Sequence, residues 1–187
     1  MKHHANRQKR IQSRTVVPLS DPAVMCKTAS LKSHKTNHVS VKMRPAVASE
    51  RKSLEGLQWR ASLKNPGDSE ALLANRDAIE LPVGQIEAGG VFVAEVAEAV
   101  VGFAAILPRE DGDSELDALF VEPEVWQRGI GRAMVEHCCA AAKAAGAKSL
   151  HVVGNPHAEG FYHSCGFAKL GTKATRFGDG LLMKRSV

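Results

Sequence analysis

The chain has 187 residues, 44% of them hydrophobic, which suffices for one domain with a sizeable core and excludes a wholly disordered protein. Its formal net charge of +5 is uneven: residues 1–49 hold ten Lys or Arg against Asp21 alone, whereas the rest holds 15 basic and 19 acidic residues, so the basic character belongs to the leading segment. No uncharged apolar run reaches the roughly 18 residues a membrane helix needs, because Glu95 and Glu98 interrupt the stretch 91–107, and no membrane partner is expected.

Residues 1–38 mix Lys, Arg, His, Ser and Asn with few large apolar side chains. They cannot bury enough surface to offset chain entropy, so a disordered basic tail is expected, followed by one domain over 39–187. A nucleic-acid arm, an organelle transit peptide and a dispensable solvated tail all fit the tail's composition, the last most simply. The four cysteines, Cys26, Cys138, Cys139 and Cys165, show neither metal-ligand spacing nor a disulfide framework, which points to a reducing cytoplasm.

In chain order, the alternation over 39–45 predicts a strand stopped by Pro45. Leu54, Leu57, Gln58 and Ala61 predict a helix over 48–63, the turn Asn65-Pro66-Gly67-Asp68 follows, and a second helix is expected over 69–79. Residues 91–96 and 100–107 read as a hairpin around Ala97-Glu98-Ala99. The short apolar run 116–121 predicts a strand closed by Pro123. From Ile130 the apolar period changes: Ile130, Met134, Val135, Cys138, Ala141, Ala142 and Ala145 form one helical stripe, ended by Gly146. A strand over 149–153 follows after three residues, so strand, helix and strand make a parallel crossover. Residues 168–176 and 180–184 supply a last hairpin.

Between strand and helix lies Gln127-Arg128-Gly129-Ile130-Gly131-Arg132-Ala133. Glycines at a helix start let backbone approach a ligand, and the unpaired first-turn N–H groups favour an anion, so the loop proposes a phosphate or pyrophosphate. Arg132-Ala133 stands where a P-loop needs Lys and Ser or Thr, and Met134 where a dinucleotide fingerprint needs its third glycine; both motifs fit poorly.

The run resembles the acetyl-CoA-binding segment of the GNAT superfamily of N-acetyltransferases, with Arg128, Gly131 and Ala133 in register and Pro123 in the preceding loop. A second segment is similar too: Asn155, Ala158, Phe161-Tyr162 and Gly166-Phe167. The resemblance covers residues 39–184. It implies an α/β fold with a mixed, mainly antiparallel sheet of six to seven strands, about four flanking helices, and a splay between the two parallel strands around the central helix. Acetyl-CoA is then the co-substrate and an amine-bearing molecule the acceptor, in a monomer or a homodimer; nucleic acid is the lesser reading.

On this resemblance the backbone groups of Leu119, Phe120 and Val121 pair with the pantetheine arm, and the amides from Gln127 through Arg128, Gly129, Ile130, Gly131 and Arg132 to Ala133 hold the pyrophosphate. Asn155 matches a residue that contacts the arm or a nearby backbone group, and a turn-forming Asn before Pro156 is the other reading. Tyr162, the chain's single tyrosine, matches the residue that approaches the CoA sulfur. Full proton transfer from a phenol of pKa about 10 to a thiolate of about 8.5 is uphill by about 2 kcal/mol, so a hydrogen bond to the thiolate or a lowered Tyr162 pKa is expected. Asp117 and Glu115 are candidates for taking the amine proton, with His151 as a third. Trp59, Arg60, Asn65 and Arg76 are candidates to touch the acceptor. No metal is expected, since His157 and Cys165 are eight apart with no acid to complete a set. The competing functional readings are a transferase for another acyl-CoA and a CoA-binding sensor without catalysis.

Overall fold

In the computed structural model, residues 40–65, 69–75, 78–175 and 178–187 are described. The expected tail 1–38, Val39, the turn residues Pro66, Gly67 and Asp68, and the acceptor candidate Arg76 lie outside them. The elements are β1 (Lys42–Pro45), α1 (Arg51–Lys64), α2 (Ser69–Ala74), α3 (Val83–Glu87), β2 (Val91–Val96), β3 (Ala99–Pro108), β4 (Ser114–Val121), α4 (Ile130–Ala144), β5 (Ser149–Gly154), α5 (Glu159–Ser164), β6 (Ala168–Thr175) and β7 (Gly178–Ser186). The seven strands form one sheet in the order β1-β2-β3-β4-β5-β7-β6, antiparallel at every step except β4 to β5.

Alternation, reset once by a bulge at Val101 in β3, sends side chains from the central strands into two cores. Phe92, Ala94, Val101 and Ala104 face α4 with Met134, Val135 and Cys138, whereas Val91, Val93, Phe103 and Ala105 face α1 with Leu54 and Leu57. A sheet covered on both sides reads as near-continuous apolar runs, as 100–107 does. The α4 stripe packs as its period predicts as far as Ala142, with Ile130, Met134, Val135, Cys138 and Ala142 buried, whereas Ala145 is the exposed C-cap. Gly146 ends it at φ +91°, with Gly146 N–H on Lys143 O (2.9 Å) and Ala147 N–H on Ala142 O (3.0 Å), the paired bonds of a Schellman stop.

Three expectations are corrected. The second helix stops at Ala74 instead of reaching Ile79. The helix α3 was not read from the sequence; its five residues are too few to show a period, and it exists because Ile86 docks into the α1-side core. In the hairpin, Ala99 belongs to β3, and the turn has two residues, Ala97 and Glu98, at φ +48° and +64°. That is the type I′ form, whose twist suits a hairpin, reached here without glycine or asparagine.

Candidate active site

The parallel ladder between β4 and β5 is short. It pairs Ser114 with Leu150, Glu115 with His151 and Leu116 with Val152, and goes no further. Beyond it β4 stays on β3 as far as Val121, and β5 stays on β7 as far as Gly154, so the sheet parts between them. The parting begins at a bulge: Ala105 faces Ala118 and Ile106 faces Leu116, which leaves Asp117 as the extra residue. A bulge bends its strand and raises the local twist, and here it turns β4 away from its neighbour.

The gap opens into a cavity of about 1150 Å³. Glu122 N–H donates to Val101 O (2.8 Å), so residue 122 faces β3. By alternation the backbone groups of Val121 and Leu119 point into the gap and those of Phe120 toward β3, where a Cβ on Gly102 would lie 2.8 Å from Phe120 O. The open edge is thus carried by Leu119 and Val121; Phe120 contributes its ring to the wall.

The start of α4 borders the same cavity. Gly129 is its N-cap at φ +82°, and Gln127 also takes a left-handed φ of +63°. The first helical bond runs from Ala133 N–H to Gly129 O (3.0 Å). Hence the N–H groups of Ile130, Gly131 and Arg132 have no partner within the helix, no side chain caps it, and no acid sits in its first turn. Ala133 is committed inside the helix, which shortens the amide run read from the sequence. Gln127, Gly129, Ile130, Gly131 and Arg132 line the cavity; Arg128 is exposed and lies off its wall. A Cβ at Gly131 would sit 3.3 Å from the Phe161 ring, so glycine keeps this amide open.

Tyr162 lies on the β5 side. Its ring is 8% exposed, stacked edge-on between Phe161 and Phe167 (centroids 5.2 and 5.5 Å), and lines the cavity. A Cβ at Gly154 would fall 2.6 Å from its Cε2, so glycine at the end of β5 makes room for the phenol. Burial, with a smaller contribution from Cys165, pushes the Tyr162 hydroxyl up to about 12, against the lowered pKa offered from the sequence. It is therefore a proton-bearing donor. Asn155, also on the wall, accepts from His157 N–H (2.8 Å) and starts the turn into α5.

The two candidate carboxylates both line the cavity in different states. Glu115 accepts from Arg109 (3.0 Å), an ion pair. Asp117 is exposed to the cavity and accepts only from the neutral amide of Gln85 on α3 (3.4 Å) among the contacts described. His151 is 8% exposed and off the cavity wall, its Nε2 on Asp113 Oδ2 at 2.9 Å. Asp113 also accepts from Lys148 and Ser149 N–H, and Asp111, which with Asp113 and His151 brings one ligand atom each within 4.8 Å, is held by Arg109; the group ties the strand ends together. Cys165 is 2% exposed with its thiol pushed up by burial, which removes it as a ready thiolate nucleophile.

On the opposite wall, α1 presents Gln58, Ala61 and Ser62 on one helical face, and its C-cap Asn65 follows. Asn65 is where the sequence places it. Trp59 is half-buried off that wall, and Arg60 binds Glu122 across α1 and the β4 loop (Nε to Oε2, 3.1 Å). Gln58 and Ser62 were legible in retrospect, two turns and one turn back from Asn65. Ile79 and the β6–β7 residues Lys173, Thr175 and Asp179 also line the cavity.

Comparison with curated protein sequences returned no match. Among solved structures the fold is similar to that of a GCN5-related N-acetyltransferase from Rhodopseudomonas palustris, at a TM-score of 0.63 and 19% identity over 78% of this chain and 95% of that one. It is similar also to the PaiA N-acetyltransferase of Thermoplasma acidophilum in complex with coenzyme A (TM-score 0.62, 16% identity, 79% and 99% covered). A third likeness is YncA, a putative acetyltransferase from Salmonella typhimurium with its cofactor acetyl-CoA (TM-score 0.58, 19% identity, 79% and 94% covered). At these identities the likeness concerns the fold, but the profile of the Acetyltransferase (GNAT) family matches residues 55–167 directly, well over half of the chain. With the parted strands and open helix start in place, the chain belongs to the GNAT acetyltransferase family.

Proposed function

We propose that this protein moves an acetyl group from acetyl-CoA to a primary amine by direct attack in a ternary complex. One observation carries the reading: a strand edge with two backbone positions that no neighbouring strand pairs and a helix start with three open amides face one cavity, with a phenol on its wall. A diphosphate, two amides in series and a thioester are the groups such a surface fits, in that order along the cavity from the start of α4. Leu119 and Val121 hold the amides of the pantetheine arm, and Ile130, Gly131 and Arg132 hold the pyrophosphate, with the Arg132 guanidinium adding charge.

Residues then divide the proton traffic. Asp117 takes a proton from the acceptor ammonium, through water, so that the neutral nitrogen forms its bond to the carbonyl carbon. We assign this to Asp117 over Glu115 because Glu115 is neutralised by Arg109. As the C–S bond breaks, Tyr162 donates a hydrogen bond to the departing sulfur. Complete transfer of its proton to a thiolate of pKa about 8.5 would be uphill by about 5 kcal/mol from a phenol at about 12, so solvent delivers the final proton. The acceptor enters past Gln58, Ser62 and Asn65. The buried thiols Cys138, Cys139 and Cys165 are unpaired and suit a reducing compartment, the cytoplasm in this reading.

Calorimetry with acetyl-CoA and CoA, followed by thiol release from acetyl-CoA with a panel of primary amines, tests the proposal. Micromolar binding and amine-dependent release are expected; binding without release under any amine leaves the sensor reading, which Tyr162 and Asp117 at the cavity do not explain. Absence of binding ends both.

A further inference from the structure

One side chain already occupies the edge that the donor needs. Trp126 Nε1–H donates to Val121 O at 2.7 Å, closing over the short turn Pro123–Val125. Val121 is the last residue of β4, and its carbonyl is on the gap side of that strand, beyond the end of the β4–β5 ladder. The indole is 37% exposed and lines the cavity beside Gln127. The one polar atom of the indole, its Nε1–H, is satisfied by Val121 O.

Val121 O is an acceptor that no strand satisfies. Indole Nε1–H is a donor only, and so is an amide N–H of a pantetheine arm lying along β4, so both compete for the same oxygen. Resting on the acetyltransferase reading above, we infer that Trp126 is a displaceable cap on the β4 edge: its N–H satisfies Val121 O in the free protein and leaves when the donor's amide arrives. The exchange trades one neutral hydrogen bond for another, so the cap lowers donor affinity by what the free-state bond is worth. It protects the backbone acceptor while the gap holds only water.

The test uses the full chain and CoA itself. In ¹⁵N-labelled protein the two indole N–H resonances, those of Trp59 and Trp126, are assigned with Trp126→Phe or, should that variant not fold, with Trp59→Phe. On titration with CoA the Trp126 indole proton should move upfield and exchange faster with water, with Trp59 unchanged. By calorimetry Trp126→Phe, which keeps a ring and loses the donor, should bind CoA roughly three- to tenfold tighter than wild type. An indole resonance that stays put at saturating CoA overturns the cap, as does a folded Trp126→Phe that binds CoA no tighter. Wild-type protein that does not bind CoA removes the acetyltransferase reading as well, whereas binding without an indole shift removes the cap alone.

Discussion

The two ends of β4 are made from one continuous strand and do opposite work. At the first end, Ser114 to Leu116 are paired on both sides, and Asp113 gathers His151 and the N–H groups of Lys148 and Ser149 into one joint. At the second, past the bulge at Asp117, the strand has a neighbour on one side only. The difference shows how a single inserted residue ends a two-sided ladder: before it the strand is paired on both sides, and past it one edge is left without a strand, the edge to which the proposed donor binding is assigned. Changes at the open end should therefore move turnover or affinity, and changes at the closed end should move stability.

The largest effect is expected from Tyr162→Phe, which should lower turnover by roughly 10- to 10⁴-fold with little change in acetyl-CoA affinity, measured by steady-state kinetics beside calorimetry. Wild-type turnover in that variant would take the phenol out of the chemistry. Asp117→Asn should cost on the order of 10²-fold in kcat, while Glu115→Gln, whose carboxylate is tied to Arg109, should stay within about threefold of wild type. The reverse ranking would move the base to the ion-paired position.

Asp113→Ala probes the closed end. The His151 ring first, then the Lys148 and Ser149 N–H groups, hold the Asp113 carboxyl below its usual range. A depressed folded pKa gives stability that is fully present above the unfolded value near 4 and lost as pH falls through the folded one. The variant should therefore melt lower at pH 7 and lose less of its Tm on acidification below about pH 4, with kcat within about twofold of wild type; unchanged melting curves would break the contrast between the two ends. Among the substitutions on the cavity side expected to impair function, Gly131→Ala gives the smallest change. Its Cβ presses on Phe161 at 3.3 Å, so acetyl-CoA binding should weaken by roughly three- to tenfold, while alanine's helix preference of about 1 kcal/mol over glycine keeps stability nearly level.

Much of the open end was legible in the chain. Helix period from Ile130, the glycine stop at Gly146 and the closing Pro123 depend on local rules, and the structure follows them. What escaped was set by partners distant in sequence. Nothing near Arg60 announces that Glu122 will claim it, nor near Glu115 that Arg109 will neutralise it. The short helix α3 carries the Gln85 that reaches Asp117, yet five residues show no period. The steric need for Gly154 appears only when the Tyr162 ring is placed 2.6 Å from where a Cβ would be.

The amino-acid order alone settled that an uncapped helix follows a proline-closed strand, and that a tyrosine comes one turn into a later helix, because periodicity, turn chemistry and capping act over a few residues. The tertiary structure decided where β4 and β5 part, which carboxylate Arg109 pairs with, and how far the phenol is buried. Those outcomes depend on ladder register and on charges brought together across the sheet, and such contacts exist only once the chain has closed on itself.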